Sequence, residues 1–177
     1  MNVQELEDLT LLLIDDADMP AEWLARWAVS YPVVVTAAVS AQESVADWQA
    51  KLRAVWASQN SEKVAVVAYG AGAAAWLAWL FQADIVSLGR VANMILVSPA
   101  QEAFGSEAAQ TLQRVRCPCR TAWVVGNDAP QSLRDWSQEW AGRIGASVLE
   151  TPYTGRLNDR LGGWQWGMKL MQEMLLA

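Results

Sequence analysis

The chain has 177 residues, of which 53% are hydrophobic and 18% are charged. This length and composition favour one folded domain over residues 1–177 and exclude a disordered chain. The net charge of −6 argues against nucleic acid as a partner, because an acidic protein repels the phosphate backbone.

The predicted strands and helices alternate along the chain. Strand 9–14 precedes a helix that begins near Pro20, strand 32–37 precedes helix 43–57, and strand 64–69 precedes helix 72–82. Strand 93–98 precedes a helix at 104–115, strand 121–126 precedes helix 131–143, and strand 147–151 leads through a loop to helix 163–176. Continuously apolar strands are typical of a parallel sheet covered on both faces. We therefore predict an α/β fold, a three-layer sandwich with a mostly parallel sheet of about six strands flanked by helices and no lid domain.

No segment of the sequence is predicted to enter a membrane. The longest apolar stretch, residues 64–81, is interrupted by glycines and mixes two periodicities, unlike a transmembrane helix. The first residues contain neither a basic segment nor a signal-type cleavage site, so we expect a cytoplasmic protein.

Residues 68–72, with the sequence Ala-Tyr-Gly-Ala-Gly, follow the third predicted strand and precede a helix of small residues. They occupy the frame of G-x-S-x-G, the nucleophile elbow, in which a serine stands on a strained turn of positive φ. Gly70 holds the serine position, and glycine adopts that backbone shape without strain. A phosphate-binding loop is the competing interpretation, but its lysine and its serine or threonine are missing. The segment thus predicts an elbow that carries no nucleophile.

Three further segments follow the elbow in the chain: "VANMILVSPA", "VRCPCRTAWVVGNDAPQSL" and "YTGRLNDRLGGWQWG". The last contains most of a G-H-x-N…G-x-W…G pattern. Its matching residues are Gly155, Asn158, Gly162, Trp164 and Gly167. Together with the elbow, these segments resemble the small single-domain serine hydrolases of the α/β-hydrolase fold related to retinoblastoma-binding protein 9 and the bacterial YdeN proteins. The resemblance covers most of the chain.

The resemblance implies a catalytic triad whose three positions hold Gly70 as nucleophile, Asp128 as acid and Arg156 as base. The acid is retained, but the nucleophile is missing and the whole chain contains no histidine. An arginine keeps its proton near neutral pH and cannot act as a general base. The resemblance therefore implies a degenerate site in which no catalytic residue is expected. The vestigial pocket that it implies consists of Asp15, Asp16, Tyr69, Ala71 and Ser98.

The loop after the first strand helps to hold the oxyanion in that family. Here the loop carries Asp15, Asp16 and Asp18, whose negative charges would repel a developing oxyanion. We predict that Arg156 either pairs with Asp128 or one of these three carboxylates, or is a solvated loop charge. A hard cation such as Mg²⁺ or Ca²⁺ is an alternative occupant of the acidic loop. The nearby arginine argues against it, and we expect no metal and no cofactor.

The chain is rich in tryptophan, with 11 residues of this type. Several pairs have the spacing of one helix face, so most are predicted to lie in the core. The pairs Trp23/Trp27 and Trp136/Trp140 are the candidates for a partly exposed interface.

These observations favour a pseudoenzyme, a serine-hydrolase-like protein that has lost catalysis and acts as a binding or protein-interaction module. The expected partner is another protein or a second copy of the chain, with a small acyl or aromatic ligand in the vestigial pocket as a further option. Nucleic acid and membrane are not expected partners. The alternative is a hydrolase-like enzyme in which Asp128 or the Asp15–Asp18 loop acts as a general base, with or without a metal.

Overall fold

The computed structural model describes residue 4 and residues 7–177. Its six strands are β1 (Leu9–Asp16), β2 (Val34–Val39), β3 (Lys63–Tyr69), β4 (Val91–Val97), β5 (Thr121–Gly126) and β6 (Ser147–Thr151). They form one parallel sheet in the order β2-β1-β3-β4-β5-β6. The predicted parallel α/β sheet of six strands is confirmed.

Seven α-helices lie between residues 9 and 177. They are α1 (Glu22–Ser30), α2 (Val45–Ala57), α3 (Ala71–Gln82), α4 (Ile85–Arg90), α5 (Ser106–Leu112), α6 (Gln131–Ile144) and α7 (Gln165–Leu176). Helices α2, α3, α5 and α6 contribute to the hydrophobic core on one face of the sheet, and α1 and α7 to the core on the other. Across the described residues, no helix has the length and apolar character needed to cross a bilayer.

β3 shows why a central strand of this sheet is apolar along most of its length. Its residues 64, 66 and 68 face the core under α3, and residues 65, 67 and 69 face the core under α1 and α7. All six side chains are at most 1% exposed. Burial of each valine stabilises the fold by about 2 kcal/mol, so a polar residue on either face would be costly.

Three of the differences between the structure and the sequence-based elements have a local cause. β2 begins at Val34, two residues later than predicted, after Pro32, which has no N–H to donate to a neighbouring strand. The predicted helix 104–115 is divided, because the extended backbone of Gly105 separates a 3₁₀ turn at Gln101–Phe104 from α5. Helix α4 was not predicted. Its N-terminus is capped by Asp84, whose carboxylate accepts a hydrogen bond from the N–H of Ser87 at 2.6 Å.

Most tryptophans lie in the core, as predicted, but the interface candidates are largely wrong. Trp23 and Trp27 are 0% and 1% exposed, and Trp140 is 7% exposed. Trp136 is half-buried and packs edge-on against Phe104 and Trp123. Three of these four indoles are therefore buried and offer a partner little or no surface.

The strand order places a topological switch point between β1 and β3. The chain passes from β1 outward to β2 on one side and then returns to β3 on the other side of β1. The carboxyl ends of β1 and β3 are adjacent, with Ile14 paired to Ala68. Sheets of this type bind ligands beyond such ends, so the loops after β1 and β3 are the first place to look for a site.

Candidate functional site

The turn between β3 and α3 has the backbone shape of a nucleophile elbow. Gly70 has φ of 58° and ψ of −123°, a conformation that residues with a Cβ rarely adopt. Its N–H donates to the carbonyl of Val97 at 3.0 Å, and its carbonyl accepts from the N–H groups of Ala73 and Ala100, each at 3.2 Å. The predicted elbow therefore exists, and it is bonded to the loop that follows β4.

Gly72 allows α3 to approach β1 closely. A Cβ at residue 72 would lie 2.6 Å from the carbonyl oxygen of Ile14. The two glycines of the elbow thus meet two different needs, a positive φ at residue 70 and close packing at residue 72.

Asp16 ends β1 and points its carboxylate into the elbow. The side chain is only 3% exposed, and its Oδ2 accepts a hydrogen bond from the N–H of Ala71 at 2.9 Å. Its Oδ1 accepts from the N–H groups of Asp18 at 2.9 Å and Met19 at 3.3 Å. A Cβ at Gly70 would lie 2.5 Å from Oδ2. The carboxylate therefore takes both the N–H that follows the nucleophile position and the space a side chain there would need.

This contact stabilises the N-terminus of α3. The first N–H groups of a helix have no partner within the helix, and the helix dipole favours a negative charge at that end. In a nucleophile elbow, the N–H after the nucleophile is one of the donors that hold the oxyanion. In such an elbow the N–H at residue 71 is the donor offered to the reacting group. Here the carboxylate of Asp16 accepts its hydrogen bond instead.

The two other carboxylates of the loop also have backbone partners. Asp15 Oδ1 accepts from the N–H groups of Ala21 at 3.0 Å and Asp16 at 2.8 Å. Asp18 Oδ2 accepts from the hydroxyl of Ser40 at 2.8 Å and from the N–H of Ala41 at 3.3 Å. Over residue 4 and residues 7–177, no three acidic, cysteine or histidine side chains are grouped so that they could hold a metal ion.

Asp128 lies in the loop after β5 and anchors the loop after β6. Its Oδ1 accepts a hydrogen bond from the N–H of Gly155 at 2.8 Å, while the residue as a whole is exposed. The two loops approach each other closely, since a Cβ at Gly126 would lie 2.7 Å from the carbonyl oxygen of Gly155.

The predicted pairing of Arg156 is wrong. Arg156 does not pair with Asp128 or with the carboxylates of the β1 loop, because its Nη2 lies 3.5 Å from Oε1 of Glu102. The two side chains are 48% and 55% exposed. Such a pair contributes little to stability in water. Glu102 was not singled out from the sequence, because nothing in the chain near it indicates that it faces residue 156.

Tyr69 lies directly before the elbow and is 1% exposed. Its ring meets that of Trp23 edge-on, with 6.4 Å between the ring centroids. Burial raises the pKa of the phenol well above its usual value. The charge of Arg156 opposes this shift, while Asp16 and Asp15 add to it. The phenol therefore stays protonated at neutral pH and is no candidate base.

A cavity of about 310 Å³ opens beside the elbow, between the loops that follow β4, β5 and β6. Among the residues lining it are Ser98, Glu102, Asp128, Ser137, Gly155 and Arg156. Of the five residues predicted to form a vestigial pocket, Ser98 lines this cavity, whereas Asp16, Tyr69 and Ala71 are buried around the elbow. Asp15 instead borders a separate groove between α1 and the β1–β2 edge. The predicted pocket residues are therefore not gathered in one opening.

Asp15 gives a testable pH dependence. Burial raises its pKa above the usual 3.8, although hydrogen bonds from Ala21 and Asp16 favour the ionised form. Between these two pKa values the folded state binds more protons than the unfolded state, so the free energy of unfolding falls as pH rises through this interval. An asparagine cannot ionise, and its Oδ1 can accept the same two hydrogen bonds.

We expect Asp15→Asn to melt at a higher temperature than the wild type at pH 7, and the difference to shrink as pH approaches 3.8. Thermal unfolding followed by circular dichroism between pH 3.5 and 7 measures this. The exposed Asp135→Asn serves as the control. A lower melting temperature for Asp15→Asn at pH 7 would show that the hydrogen bonds to the carboxylate outweigh its burial.

The comparisons with known proteins agree with this fold. The model of the family described as serine hydrolase matches residues 16–173. No curated protein matches the sequence. A protein described as a YdeN-like hydrolase from Pectobacterium atrosepticum superposes with a TM-score of 0.77 at 17% identity, covering 98% of this chain and 94% of its own.

Two Bacillus subtilis structures are also similar. The ydeN gene product has a TM-score of 0.65 at 16% identity, covering 96% of this chain and 99% of its own. Carboxylesterase CesB has a TM-score of 0.57 at 15% identity, covering 94% of this chain and 82% of its own. These likenesses show a shared α/β-hydrolase-like fold. Since the family model also extends from the end of β1 into α7, the chain belongs to the serine hydrolase family.

Proposed function

We propose that this protein keeps the serine hydrolase fold without hydrolase chemistry and acts as a binding or protein-interaction module. The observation that carries this proposal is the Asp16 carboxylate on the N–H of Ala71, at 2.9 Å. A reacting carbonyl needs that donor as its oxygen becomes negative, and a fixed negative charge there has the opposite effect. In this proposal the Asp16 carboxylate prevents the elbow from stabilising the oxyanion of the family reaction.

The triad positions support the same proposal. Gly70 offers no nucleophile, and with no histidine in the chain the usual base is missing. Arg156 holds its proton and lies against Glu102 rather than Asp128. Asp128 keeps the acid position, and its Oδ1 is bonded to the N–H of Gly155. In this proposal the three residues form a degenerate triad.

An exposed apolar segment supports an interaction role. Phe81, Ile85 and Val86 lie at the end of α3 and the start of α4 and are 45%, 85% and 73% exposed. Large apolar side chains grouped on a surface are typical of sites that another protein covers. The proposed partner is a second protein or another copy of this chain. Sedimentation velocity of the purified chain, followed by a pull-down from the native host, tests this part.

The alternative proposal is an enzyme that uses a carboxylate as its base. Asp128 is the candidate with an observation in its favour, because it is exposed and lines the cavity. The carboxylates of the β1 loop are less suited, since Asp15, Asp16 and Asp18 each accept hydrogen bonds from backbone N–H groups. The oxygens that hold these bonds are not free to take a proton from a substrate.

A fluorophosphonate probe and a panel of short p-nitrophenyl esters test the proposal. We expect no covalent labelling and no ester turnover above that of a heat-denatured sample. Turnover that disappears in Asp128→Ala would support the carboxylate alternative. Labelling of the wild type, or turnover that survives Asp128→Ala, would contradict both proposals.

Three restoring variants make the negative result informative. Gly70→Ser alone should not react with the probe, because the Asp16 carboxylate lies where the serine Cβ must go. The double variant Gly70→Ser/Asp16→Gly should be more stable than Gly70→Ser alone, but it should stay inactive because it has no base. Adding Arg156→His supplies all three triad groups, and labelling of this triple variant would show that the missing groups account for the inactivity.

A further inference from the structure

The cavity beside the elbow has a buried end and an exposed mouth. Val125 and Gly126 at the end of β5 are buried, and so is Ser137 on α6. Glu102, Asp128 and Arg156 lie at the exposed side. The volume of about 310 Å³ is at the lower end of the range for small-molecule sites and corresponds to roughly ten water volumes of ~30 Å³ each. A ligand here would have about ten non-hydrogen atoms.

The buried end carries a polar group whose hydrogen bonds are not made. The Ser137 side chain is 0% exposed, and its hydroxyl has no hydrogen-bond partner among the residues that the structure describes. A buried hydroxyl without a partner destabilises a fold by about 1–3 kcal/mol. Apolar groups of Val125, Ala129 and Leu133 line the cavity around it. Apart from this hydroxyl the buried lining is apolar, so it suits a short apolar body.

The mouth carries charges of both signs. Arg156 and Glu102 approach at 3.5 Å, the long end of an ion pair, and Asp128 is exposed close by on the same cavity. A guanidinium has five N–H donors, and this contact uses one of them. A ligand that carries only a carboxylate would bind Arg156 and place its negative charge beside that of Glu102. A ligand that carries only an ammonium would bind Glu102 and place its positive charge beside that of Arg156. A ligand with both charges can bind a carboxylate to Arg156 and an ammonium to a carboxylate of the mouth.

We propose that this cavity is a binding site for a small amphipathic zwitterion, such as a free aliphatic amino acid. Its carboxylate binds Arg156, its ammonium binds Glu102 or Asp128, and its apolar body lies against Val125 and Leu133. The inference deepens the proposed binding role and rests on it. Neither Gly70, Ala71 nor Asp16 lines the cavity, so the site lies beside the elbow rather than on it.

Calorimetric titration of the full chain with three ligands of one skeleton tests the proposal. L-leucine carries both charges, 4-methylpentanoate lacks the ammonium, and 3-methylbutylamine lacks the carboxylate. We expect leucine to bind at least tenfold more tightly than either analogue. In ¹H–¹⁵N spectra, leucine should shift the amide signals of Ser98, Ser137 and Gly155. Equal affinities, no binding of leucine at 50 mM, or shifts confined to other regions would overturn the proposal.

Variants locate the site. Arg156→Gln should lower leucine affinity about tenfold and remove the preference for leucine over the amine. Ala129→Phe fills the cavity and should abolish binding. Arg114→Gln, an exposed arginine that does not line the cavity, is the control.

The two proposals fail separately, because the titration measures binding and the fluorophosphonate probe measures chemistry. Wild-type affinity in both Ala129→Phe and Arg156→Gln would overturn the zwitterion site and would not bear on the proposed loss of catalysis. Probe labelling would overturn the loss of catalysis without changing the outcome of the titration.

Discussion

Replacing Gly70 by alanine lowers the free energy of unfolding by about 3 kcal/mol. The backbone at this residue has φ of 58° and ψ of −123°, a sparsely populated combination that costs a residue with a Cβ about 1–3 kcal/mol. The new Cβ would also lie 2.5 Å from Oδ2 of Asp16, so either the carboxylate must leave the N–H of Ala71 or the turn must move. Urea unfolding monitored by tryptophan fluorescence measures the change. Gly142→Ala is the matched control, since a Cβ there meets nothing within 4 Å and alanine should stabilise α6 by about 0.5–1 kcal/mol.

A double-mutant cycle separates the two causes. Asp16→Gly removes the side chain that a Cβ at residue 70 would strike, so Gly70→Ala should cost at least 1 kcal/mol less in that background. Strictly additive effects would show that the backbone conformation alone accounts for the loss. The cycle would then contradict the close contact between Asp16 and the elbow.

Trp23→Phe lowers the free energy of unfolding by about 3 kcal/mol and loosens the loop that carries Arg156. Trp23 is 0% exposed, and its Nε1–H donates to the carbonyl of Leu157 at 2.7 Å. Leu157 has φ of 59°, an unfavourable backbone shape that surrounding contacts must hold in place. Phenylalanine fills less space and leaves that carbonyl without its donor, which adds about 1–3 kcal/mol to the packing loss. Amide hydrogen exchange of residues 155–163 should accelerate in the variant.

Trp123→Phe is the control for this change. Trp123 is also 0% exposed, but its Nε1–H has no partner in the described part of the chain. The same truncation there removes an unpaired donor along with the lost volume, so we expect a loss of about 1 kcal/mol. Equal losses for the two variants would show that the bond to Leu157 contributes nothing.

Much of the fold follows from local sequence, and β3 with its elbow shows why. A run of β-branched residues that ends in small residues and glycine has few good alternatives to a buried strand followed by a tight turn. The elbow at Gly70 was predictable for this reason. The break at Gly105 and the short helix α4 were not, because each depends on one residue at a helix end, where sequence patterns are weakest.

The site was less predictable than the fold. The sequence shows acidic residues in the β1 loop, but not that Asp16 turns toward Ala71, 55 positions away, and satisfies a helix N-terminus there. Charge alone suggested a pair between Arg156 and either Asp128 or a carboxylate of the β1 loop, yet Asp128 Oδ1 accepts the N–H of Gly155 and Arg156 faces Glu102. Ser137 gave no signal at all, since a serine on an amphipathic helix is most often exposed.

The packing of Asp16 against Gly70 constrains the order in which this lineage could change. Any side chain introduced at residue 70 first meets the carboxylate of Asp16, so a serine cannot be introduced there in one step without a large loss of stability. Residue 16 must shrink beforehand, and that change removes the cap of α3 before any benefit appears. Once aspartate and glycine occupy these two positions, a side chain at residue 70 is therefore reached only through a less stable intermediate.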